Sequence, residues 1–499
     1  MQQMKGTSMR DRGMHGRSWL YRWVGMIMLF LAVDYASART AGGTIVAAAP
    51  GAATYDVLDL SRAWRLALEH DHIYRAAISE QAAAQTERAQ GRAGLLPQIQ
   101  AGYHRSRVTG HAKQPNALGQ QTSSRLDYDS YNAYVQLQQP ILNYERYANH
   151  QRGNALADKG AAVFTVKRQA TGIRLATAYF NALLAYDSLA LQRSLTSSLQ
   201  KQVVAIETSY RLHEATRTDV QETAARLAVA RADLIDANDQ WIVALRELNA
   251  LLGSAPTHMA MLRDSFPLPP LVPATLNEWL DNALANNTEV QSARMAVRVA
   301  STEVDVAASR YMPTADLVAA YGKTSSENLS SLSQRTNTLS IGIQISIPLF
   351  AGGYNKANVA RARSDSMRQQ YELRATIERT QAETARQYTN VRTGADYINA
   401  LRDAVASGEL SLRSATKGFM VGVSSNLEVL KVQDQLHQTK YKLAQAHLEY
   451  LLSRLKLAAA AGELSASTFD EINDIYLDKV IPLTSSGPHG SVLLAHSNK

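Results

Sequence analysis

The chain has 499 residues, of which 19% are charged and 45% are hydrophobic, and its formal net charge is +8. This charge is mild, and basic residues alternate with acidic ones along the chain. That pattern argues against a nucleic-acid-binding surface, in which cations cluster. The chain contains no cysteine, which excludes disulfides, thiolate metal sites, thiol nucleophiles and a lipid anchor attached to cysteine.

Residues 1–38 have the pattern of a signal peptide. Arg17 and Arg22 precede or flank an apolar run at residues 23–33, and a small-x-small sequence at residues 36–38 follows it. The run is shorter than the roughly 20 residues that span a bilayer, which favours cleavage over an uncleaved membrane anchor. We therefore expect an exported chain with a small-residue linker at residues 39–56. No later run is long enough for a spanning helix, so any membrane must be crossed by strands.

Two stretches of the chain, residues 210–253 and 419–462, are copies of one pattern. In both, apolar residues recur every seven positions at one constant offset: Val220, Leu227, Leu234, Trp241 and Leu248, then Val429, Leu436, Leu443, Tyr450 and Leu457. This period predicts helices in left-handed coiled coils, and the shared register predicts a duplication. We therefore divide the chain into a first repeat, a Pro-rich linker, a second repeat and a partly disordered C-terminal segment, at residues 57–253, 254–274, 275–462 and 463–499.

Each repeat is predicted to contain a helix, a strand pair, a very long helix and the returning heptad helix. The first helices are expected at residues 61–94, with Ser61 as N-cap, and at 275–311. The long helices are expected at residues 143–213 and 355–417, and at about 1.5 Å per residue they reach about 100 Å. Each long helix ends in a short break, at residues 213–217 and 422–425.

The strands are expected at residues 98–108, 128–139, 315–323 and 339–347. The last one alternates between polar residues and an apolar stripe of Leu339, Ile341, Ile343, Ile345 and Ile347. A period of two over about ten residues is typical of a transmembrane barrel strand with its apolar stripe facing lipid. Soluble sandwiches with one wet face have the same period, and this alternative stays open on the strand pattern alone.

The predicted fold class is α+β, because four strands must be combined with helices too long for a bilayer. Four strands cannot close a barrel, and an open sheet edge cannot lie in lipid. We therefore predict a trimeric 12-stranded outer-membrane β-barrel, with four strands per chain, continued by a long periplasmic α-helical coiled-coil barrel. A barrel that opens into a helical tube is a conduit.

Several short motifs in a fixed order resemble the TolC-like family of bacterial outer-membrane efflux proteins over nearly all of residues 57–462. They are LLPQI (95–99), its echo YMPTA (311–315), SIPLFAGG (346–353), ATRTDVQ (215–221) and VGVSSNLEVL (421–430). The resemblance implies a homotrimer in the outer membrane of a Gram-negative bacterium. It also implies docking to a periplasmic adaptor and to an inner-membrane pump or ABC transporter, in small-molecule efflux or type I protein secretion, without a cofactor.

The resemblance further implies that the helix breaks form a periplasmic gate. The residues that stand at the family's gate positions are Arg217, Thr218, Asp219, Phe419, Ser424, Glu428 and Lys431. Glu428 matches an acidic ring position, whereas Lys431 replaces the second acidic position. The alternative is that Glu428 and Lys431, three residues apart, simply pair on one helix face.

Three departures from the family pattern affect the gate. Phe419 stands where a tyrosine often lies and Ser424 where an arginine often lies, and Arg217 is a candidate for the missing cation. Three lysines beside a ring of three carboxylates would weaken the attraction of cations to the mouth. For adaptor docking, Gly422 fits a close approach of a partner helix, but His213 and Glu214 in the first repeat do not, so we expect two different docking surfaces.

Enzymatic functions have little support in the sequence, and we do not expect an enzyme. The chain lacks the G-x-S-x-G and H-E-x-x-H motifs and a phosphate loop that ends in GK[ST]. We interpret the run His70-Asp71-His72 as a solvated helix end rather than a metal site, because adjacent helical residues diverge. The competing function is that of a soluble periplasmic coiled-coil adaptor, which has no need of a lipid-facing strand stripe.

Overall fold

The structure, a computed structural model, describes residues 57–115, 119–254, 256–326 and 334–483. The expected signal peptide, the whole small-residue linker and the end of the C-terminal segment lie outside the described residues. The first half contains β1 (Val57–Leu58), α1 (Leu60–His70), α2 (His72–Ala93), β2 (Gln98–Pro115), β3 (Gln121–Asn143), α3 (Tyr144–Arg211), α4 (Arg217–Leu252) and β4 (His258–Leu262). The second half contains α5 (Leu276–Asn286), α6 (Thr288–Ser309), β5 (Thr314–Ser326), β6 (Gln334–Ser346), α7 (Tyr354–Met420), α8 (Asn426–Ala460), α9 (Ala466–Tyr476) and β7 (Leu477–Pro482).

The two halves share one order of elements: two short helices, a strand hairpin, a very long helix and a returning helix. The long helices α3 and α7 have 68 and 67 residues, so each is about 100 Å long. All ten members of the predicted heptad series lie on packed faces, and none is exposed to solvent. In the part of the chain that the structure describes, every helix is too short or too polar to cross a bilayer.

The first helix of each half is interrupted, which the sequence did not predict. Asp59, not Ser61, caps α1, and Asp71 then separates α1 from α2. The Asp71 carboxylate accepts two backbone N–H groups of the first turn of α2 and forms an ion pair with Arg174 on α3. Asp71 is only 4% exposed, so the interpretation of this run as a solvated helix end was wrong for its central residue. Asn287 caps α6 in the same way in the second half.

The main sheet has four antiparallel strands in the order β2-β3-β5-β6. The strands have 18, 23, 13 and 13 residues, because the hairpins extend further than the sequence pattern indicated. Pairing of β3 with β5 joins the hairpins of the two halves, and β2 and β6 are left as the two edges. The apolar stripe on β6 is exposed in the single chain, with Leu339 and Ile341 each about 70% exposed.

A second sheet, in the order β1-β4-β7, was not predicted. It joins the strand before α1, a strand within the expected Pro-rich linker and a strand near the C-terminus. The buried Tyr179 hydroxyl on α3 lies 2.8 Å from the Ala260 carbonyl oxygen and 3.3 Å from that of Leu58, so it ties α3 to two of these strands. Trp64 stacks on Phe469 beside them, with ring centroids 5.0 Å apart.

Residues 263–274, which we call the strap, lie across the middle of α7 and the second half of α8. Arg402 on α7 donates to the carbonyl oxygen of Phe266, and Arg454 on α8 donates to that of Pro269. The Tyr388 hydroxyl on α7 donates to the carbonyl oxygen of Ala274, the last residue of the strap, at 2.7 Å. The Phe266 ring stacks on His447 of α8 at 4.1 Å, and burial lowers the pKa of His447 to about 4, so that it stays neutral at neutral pH.

Each returning helix ends at a glycine that packs against the interruption of a short helix pair. Gly253 after α4 has φ +67° and Gly462 after α8 has φ +78°, a region that disfavours side chains. A Cβ at Gly253 would meet the side chain of His70, whereas a Cβ at Gly462 would lie 2.2 Å from the backbone oxygen of Asn286.

We predict that Gly462→Ala destabilises the protein more than the matched change Gly253→Ala. Both variants place a methyl group in the left-handed region, at a cost of about 1 kcal/mol. Only the new methyl group of Gly462→Ala also collides with backbone atoms, which cannot rotate away as a side chain can. Thermal unfolding followed by circular dichroism should give a lower midpoint for Gly462→Ala, and equal midpoints would contradict the assigned contact.

Candidate functional site

The two helix breaks lie side by side at one end of the helical part. The first lies between α3 and α4, and the second between α7 and α8. Directly after the breaks, the Asn426 amide of α8 donates to the Thr223 hydroxyl of α4, with a distance of 2.9 Å between nitrogen and oxygen. Residues that are about 200 positions apart are thereby in contact, and we call this end of the molecule the break region.

The first break is closed by its own backbone and by a reciprocal cap. His213 has φ +61°, and the Glu214 amide donates to a carbonyl oxygen of the last turn of α3 at 2.8 Å. Thr216 and Asp219 form a capping box: the Thr216 hydroxyl accepts from the Asp219 amide at 3.2 Å, and the Asp219 carboxylate accepts from the Thr216 amide at 2.9 Å. Asp219 therefore stabilises the start of α4, where a negative charge is favoured. Its neighbours Arg217 and Thr218 are exposed.

The second break has the same length as the first and depends on glycine. Gly422 has φ +77°, which suits a residue without Cβ. A Cβ at Gly418 would lie 2.6 Å from the Ser424 hydroxyl oxygen, so Ser424 occupies the space that a side chain there would need. Ser425 caps α8 by accepting from the Glu428 amide at 3.2 Å. The cap thus uses the same spacing as in the first half, with Glu428 at the position of Asp219.

The remaining predicted gate residues lie on the surface of the single chain. Glu428 and Lys431 are exposed, and Phe419 is half-buried at the end of α7. Within the described ranges, Glu428 and Lys431 form no ion pair with each other or with another residue. The alternative of a local Glu428–Lys431 pair on the helix face therefore has no support. The predicted docking residues Gly422, His213 and Glu214 are exposed too, and they lie on different breaks.

A buried polar layer behind the breaks was missed in the sequence. Thr223 is 0% and Asn426 1% exposed, and Gln202 of α3 donates to the Asn426 side-chain oxygen at 3.3 Å. Beside them, Arg226 of α4 forms an ion pair with Asp434 of α8. Within the single chain, Arg226, nine residues after the start of α4, is thus a cation that joins the two halves here, whereas Arg217 is exposed.

The polar layer continues along the helices. Gln192 and Thr196 of α3 both donate to the carbonyl oxygen of Ala230 on α4, at 3.1 and 3.2 Å. Gln433 of α8 donates to the Ser198 hydroxyl of α3 at 3.0 Å. These contacts surround a small apolar cluster of Leu199, Leu227, Ala230 and Leu430. Because a buried polar group without its partner costs about 1–3 kcal/mol, the layer holds α8 in one register against α3 and α4.

A further ion pair joins α7 to α8 near the break region. The Lys440 ammonium lies 2.6 Å from the Glu409 carboxylate. Its hydrogen bond and its charge lower the pKa of Glu409 below the ordinary value. The second-half helices α7 and α8 are therefore joined to each other, while α8 is also joined to α3 and α4.

Comparison with known proteins relates this architecture to one family. The family model described as "Outer membrane efflux protein" matches residues 63–254 and 279–463, which include both breaks and the main sheet. The two matched segments are separated by β4 and the strap.

Individual relatives agree with the family model. The chain is 34% identical to the alkaline protease secretion protein AprF of Pseudomonas aeruginosa, over 83% of this chain and 86% of that protein. It is 30% identical to the proteases secretion protein PrtF of Dickeya chrysanthemi, over 82% and 89% of the two chains. Its fold matches the outer membrane protein VceC of Vibrio cholerae with a TM-score of 0.69 at 20% identity, over 81% of this chain and 96% of that one. The chain therefore belongs to the outer membrane efflux protein family, and it is a TolC-like exit duct of the outer membrane.

Proposed function

We propose that three copies of the chain close a 12-stranded barrel in the outer membrane and extend their long helices as one tube into the periplasm. The observation that carries this proposal is the main sheet with its two open edges, β2 and β6. Its stripe of Leu339, Ile341, Ile343 and Ile345 suits lipid, but an open edge in lipid leaves backbone groups unpaired at several kcal/mol each. Pairing of β6 with β2 of the next copy removes both edges, and three copies give a barrel wide enough for a lumen.

The proposed cargo is protein, exported by a type I secretion system. Two relatives at 30% identity or more are named for the secretion of proteases, and this supports protein over small molecules. The duct itself is passive in this proposal and catalyses no reaction. A periplasmic adaptor connects it to an inner-membrane ABC transporter, which supplies the energy.

The break region is the proposed periplasmic entrance. In a trimer, three copies of Glu428 form an acidic ring, and three copies of Lys431, one helical turn further along, partly cancel its field. Phe419, Ser424 and Arg217 surround the same mouth. The Thr223–Asn426 and Arg226–Asp434 contacts hold the mouth closed, because opening it requires α8 to leave α4.

Adaptor docking is proposed at the outer sides of the two breaks. Gly422 leaves room for a partner helix at the second break, whereas the first break presents His213 and Glu214. The first-half surface is therefore bulkier and charged, so that an adaptor contacts the two grooves of each chain differently. Replacing Gly422 by a larger residue blocks one groove and leaves the other intact.

The mature protein should conduct in planar bilayers, and two single substitutions should change its ion selectivity in opposite directions. Glu428→Ala removes the carboxylate ring and should lower the preference for cations, whereas Lys431→Ala should raise it. Reversal potentials in asymmetric KCl measure both effects. Selectivity that is indifferent to both changes would remove these residues from the mouth, and absence of conductance from inserted trimers would reject the duct.

Breaking the contact between α4 and α8 should open the entrance. We expect Arg226→Ala and Asp434→Ala each to increase the single-channel conductance severalfold, and the double variant to add little to either one, because both remove the same pair. Arg231→Ala, which removes an exposed arginine of the same helix, is the matched control and should conduct like the wild type. Additive effects of the two substitutions would mean that the pair is not the latch.

Deletion of the gene in its native bacterium should distinguish the cargo classes. We expect specific proteins to disappear from the culture supernatant and to reappear on complementation, with little change in sensitivity to drugs and dyes. The measurement is quantitative proteomics of the supernatant beside inhibitory concentrations. Unchanged secretion with increased drug sensitivity would show small-molecule efflux instead.

A further inference from the structure

The basic side chains of the main sheet all lie on one face. The strand registers pair odd-numbered residues with odd-numbered residues, for example Arg105 with Tyr131, Tyr131 with Ser325, and Ser325 with Arg335. Paired residues of antiparallel strands point to the same side of a sheet. All Lys and Arg residues in the described strands of this sheet have odd numbers: Arg105, Arg107, Lys113, Arg125, Lys323 and Arg335.

This face is the one that carries the apolar stripe. Leu339, Ile341, Ile343 and Ile345 are odd-numbered as well, and the register aligns Leu339 with Tyr321 and Ile341 with Ala319. The opposite face carries uncharged polar residues over the same length, such as Gln100, Gln136 and Gln344, together with the carboxylate of Asp316. The positive charge is therefore separated from the face that suits a lumen and placed on the face that suits lipid.

Along each strand, the cations lie beyond the apolar stripe, at the end remote from the helices. On β2, Tyr103 is followed two residues later by Arg105, and on β5, Tyr321 is followed two residues later by Lys323. On β6, which runs in the opposite direction, Arg335 precedes Leu339. Tyrosines at the border of an apolar band are typical of the membrane interface. The basic residues just outside that border therefore lie at the level of the lipid headgroups.

These cations keep free hydrogen-bond donors. Arg105 lies 2.9 Å from Asp129, and Arg107 lies 3.0 Å from Asp127. Each guanidinium has five N–H donors, and exposed ion pairs of this kind are weak, so the pairs orient the arginines without saturating them. Lys323 and Arg335 have no carboxylate partner in the described part of the chain. Asp127 and Asp129 are the carboxylates that share this face within the described strands, against six cations.

We infer that this face binds phosphate groups of anionic lipids in the leaflet remote from the helices. We call the four basic residues nearest the border of the apolar band, Arg105, Arg107, Lys323 and Arg335, the basic collar, because Lys113 and Arg125 lie further out along the hairpin. Lysine and arginine stems lie along apolar surface while their charged ends reach the headgroup level, and arginine binds phosphate through two parallel hydrogen bonds. Because the collar surrounds the whole barrel in a trimer, its occupant is a ring of phosphorylated lipids rather than one molecule. The inference rests on the proposed barrel in the outer membrane.

The test uses the purified trimer in detergent and two probes, bis-phosphorylated lipid A and the same lipid after removal of its phosphates. The collar variant is Lys323→Gln combined with Arg335→Gln, because neither side chain belongs to an ion pair and the fold is left intact. The control is Lys201→Gln combined with Lys417→Gln on α3 and α7, which removes the same charge far from the sheet. Lipid retained by the trimer is counted by native mass spectrometry, and conductance of each preparation is recorded in planar bilayers.

We expect the wild type and the control to retain the phosphorylated probe about tenfold more tightly than the dephosphorylated one. The collar variant should lose about this factor, since basic residues at the membrane surface attract anionic headgroups. Equal retention of the two probes by the wild type, or unchanged retention by the collar variant, would overturn the inference. If the collar variant conducts normally, the proposed duct stands whether or not lipid retention changes. If the wild type does not conduct, the duct itself is overturned.

Discussion

The backbone groups at the edges of the main sheet impose the constraint on which the rest of the molecule depends. Each half of the chain supplies one hairpin, and the pairing of β3 with β5 satisfies the inner strands within the chain. The outer strands β2 and β6 keep a row of unpaired N–H and C=O groups, which only a neighbouring strand satisfies in lipid. The duplication doubles the number of strands per chain, and in the proposed barrel the helices that continue from the strands follow the circle of the strands.

Membership of the outer membrane efflux protein family excludes the soluble adaptor as an alternative, and a soluble sandwich with it. The unpredicted sheet β1-β4-β7 packs against the middle of the long helix α3. Three segments that are remote in sequence meet there, around a buried tyrosine that contacts two of the strands. The long helices therefore receive lateral support about halfway along their length, where a bare pair of 100 Å helices would bend.

The elements with strong periodicity were predictable from sequence, and those that depend on single side chains were not. The heptads and the alternation at residues 339–347 repeat often enough that one exception does not hide them. The interruptions at Asp71 and Asn287 depend on one capping side chain each, and the pattern of helix-favouring residues continues across both. Strand β4 has five residues and gains its stability from partners on either side, so its own sequence carries little signal.

In the break region too, one part was predictable from the sequence and another part was not. The helix caps and the break positions can be read from the Thr216–Asp219 and Ser425–Glu428 spacing. The buried layer required knowledge of which helix faces which, although one signal was present: Thr223 lies three residues after Val220, at the second core position of the first heptad of α4. A polar residue at such a position fixes the register of packed helices at a cost in stability. This is the physical reason to look there first in related chains.

The strap gives the second-half helices a fixed point along their length. Its anchor Arg402 lies 18 residues before the end of α7, which corresponds to an arm of about 27 Å between fulcrum and tip. A bend of α7 by about 10° at this point displaces the tip by about 5 Å and leaves the strand side of the helix in place. In the proposed trimer, three tips that bend outward together widen the proposed mouth by more than any one tip moves.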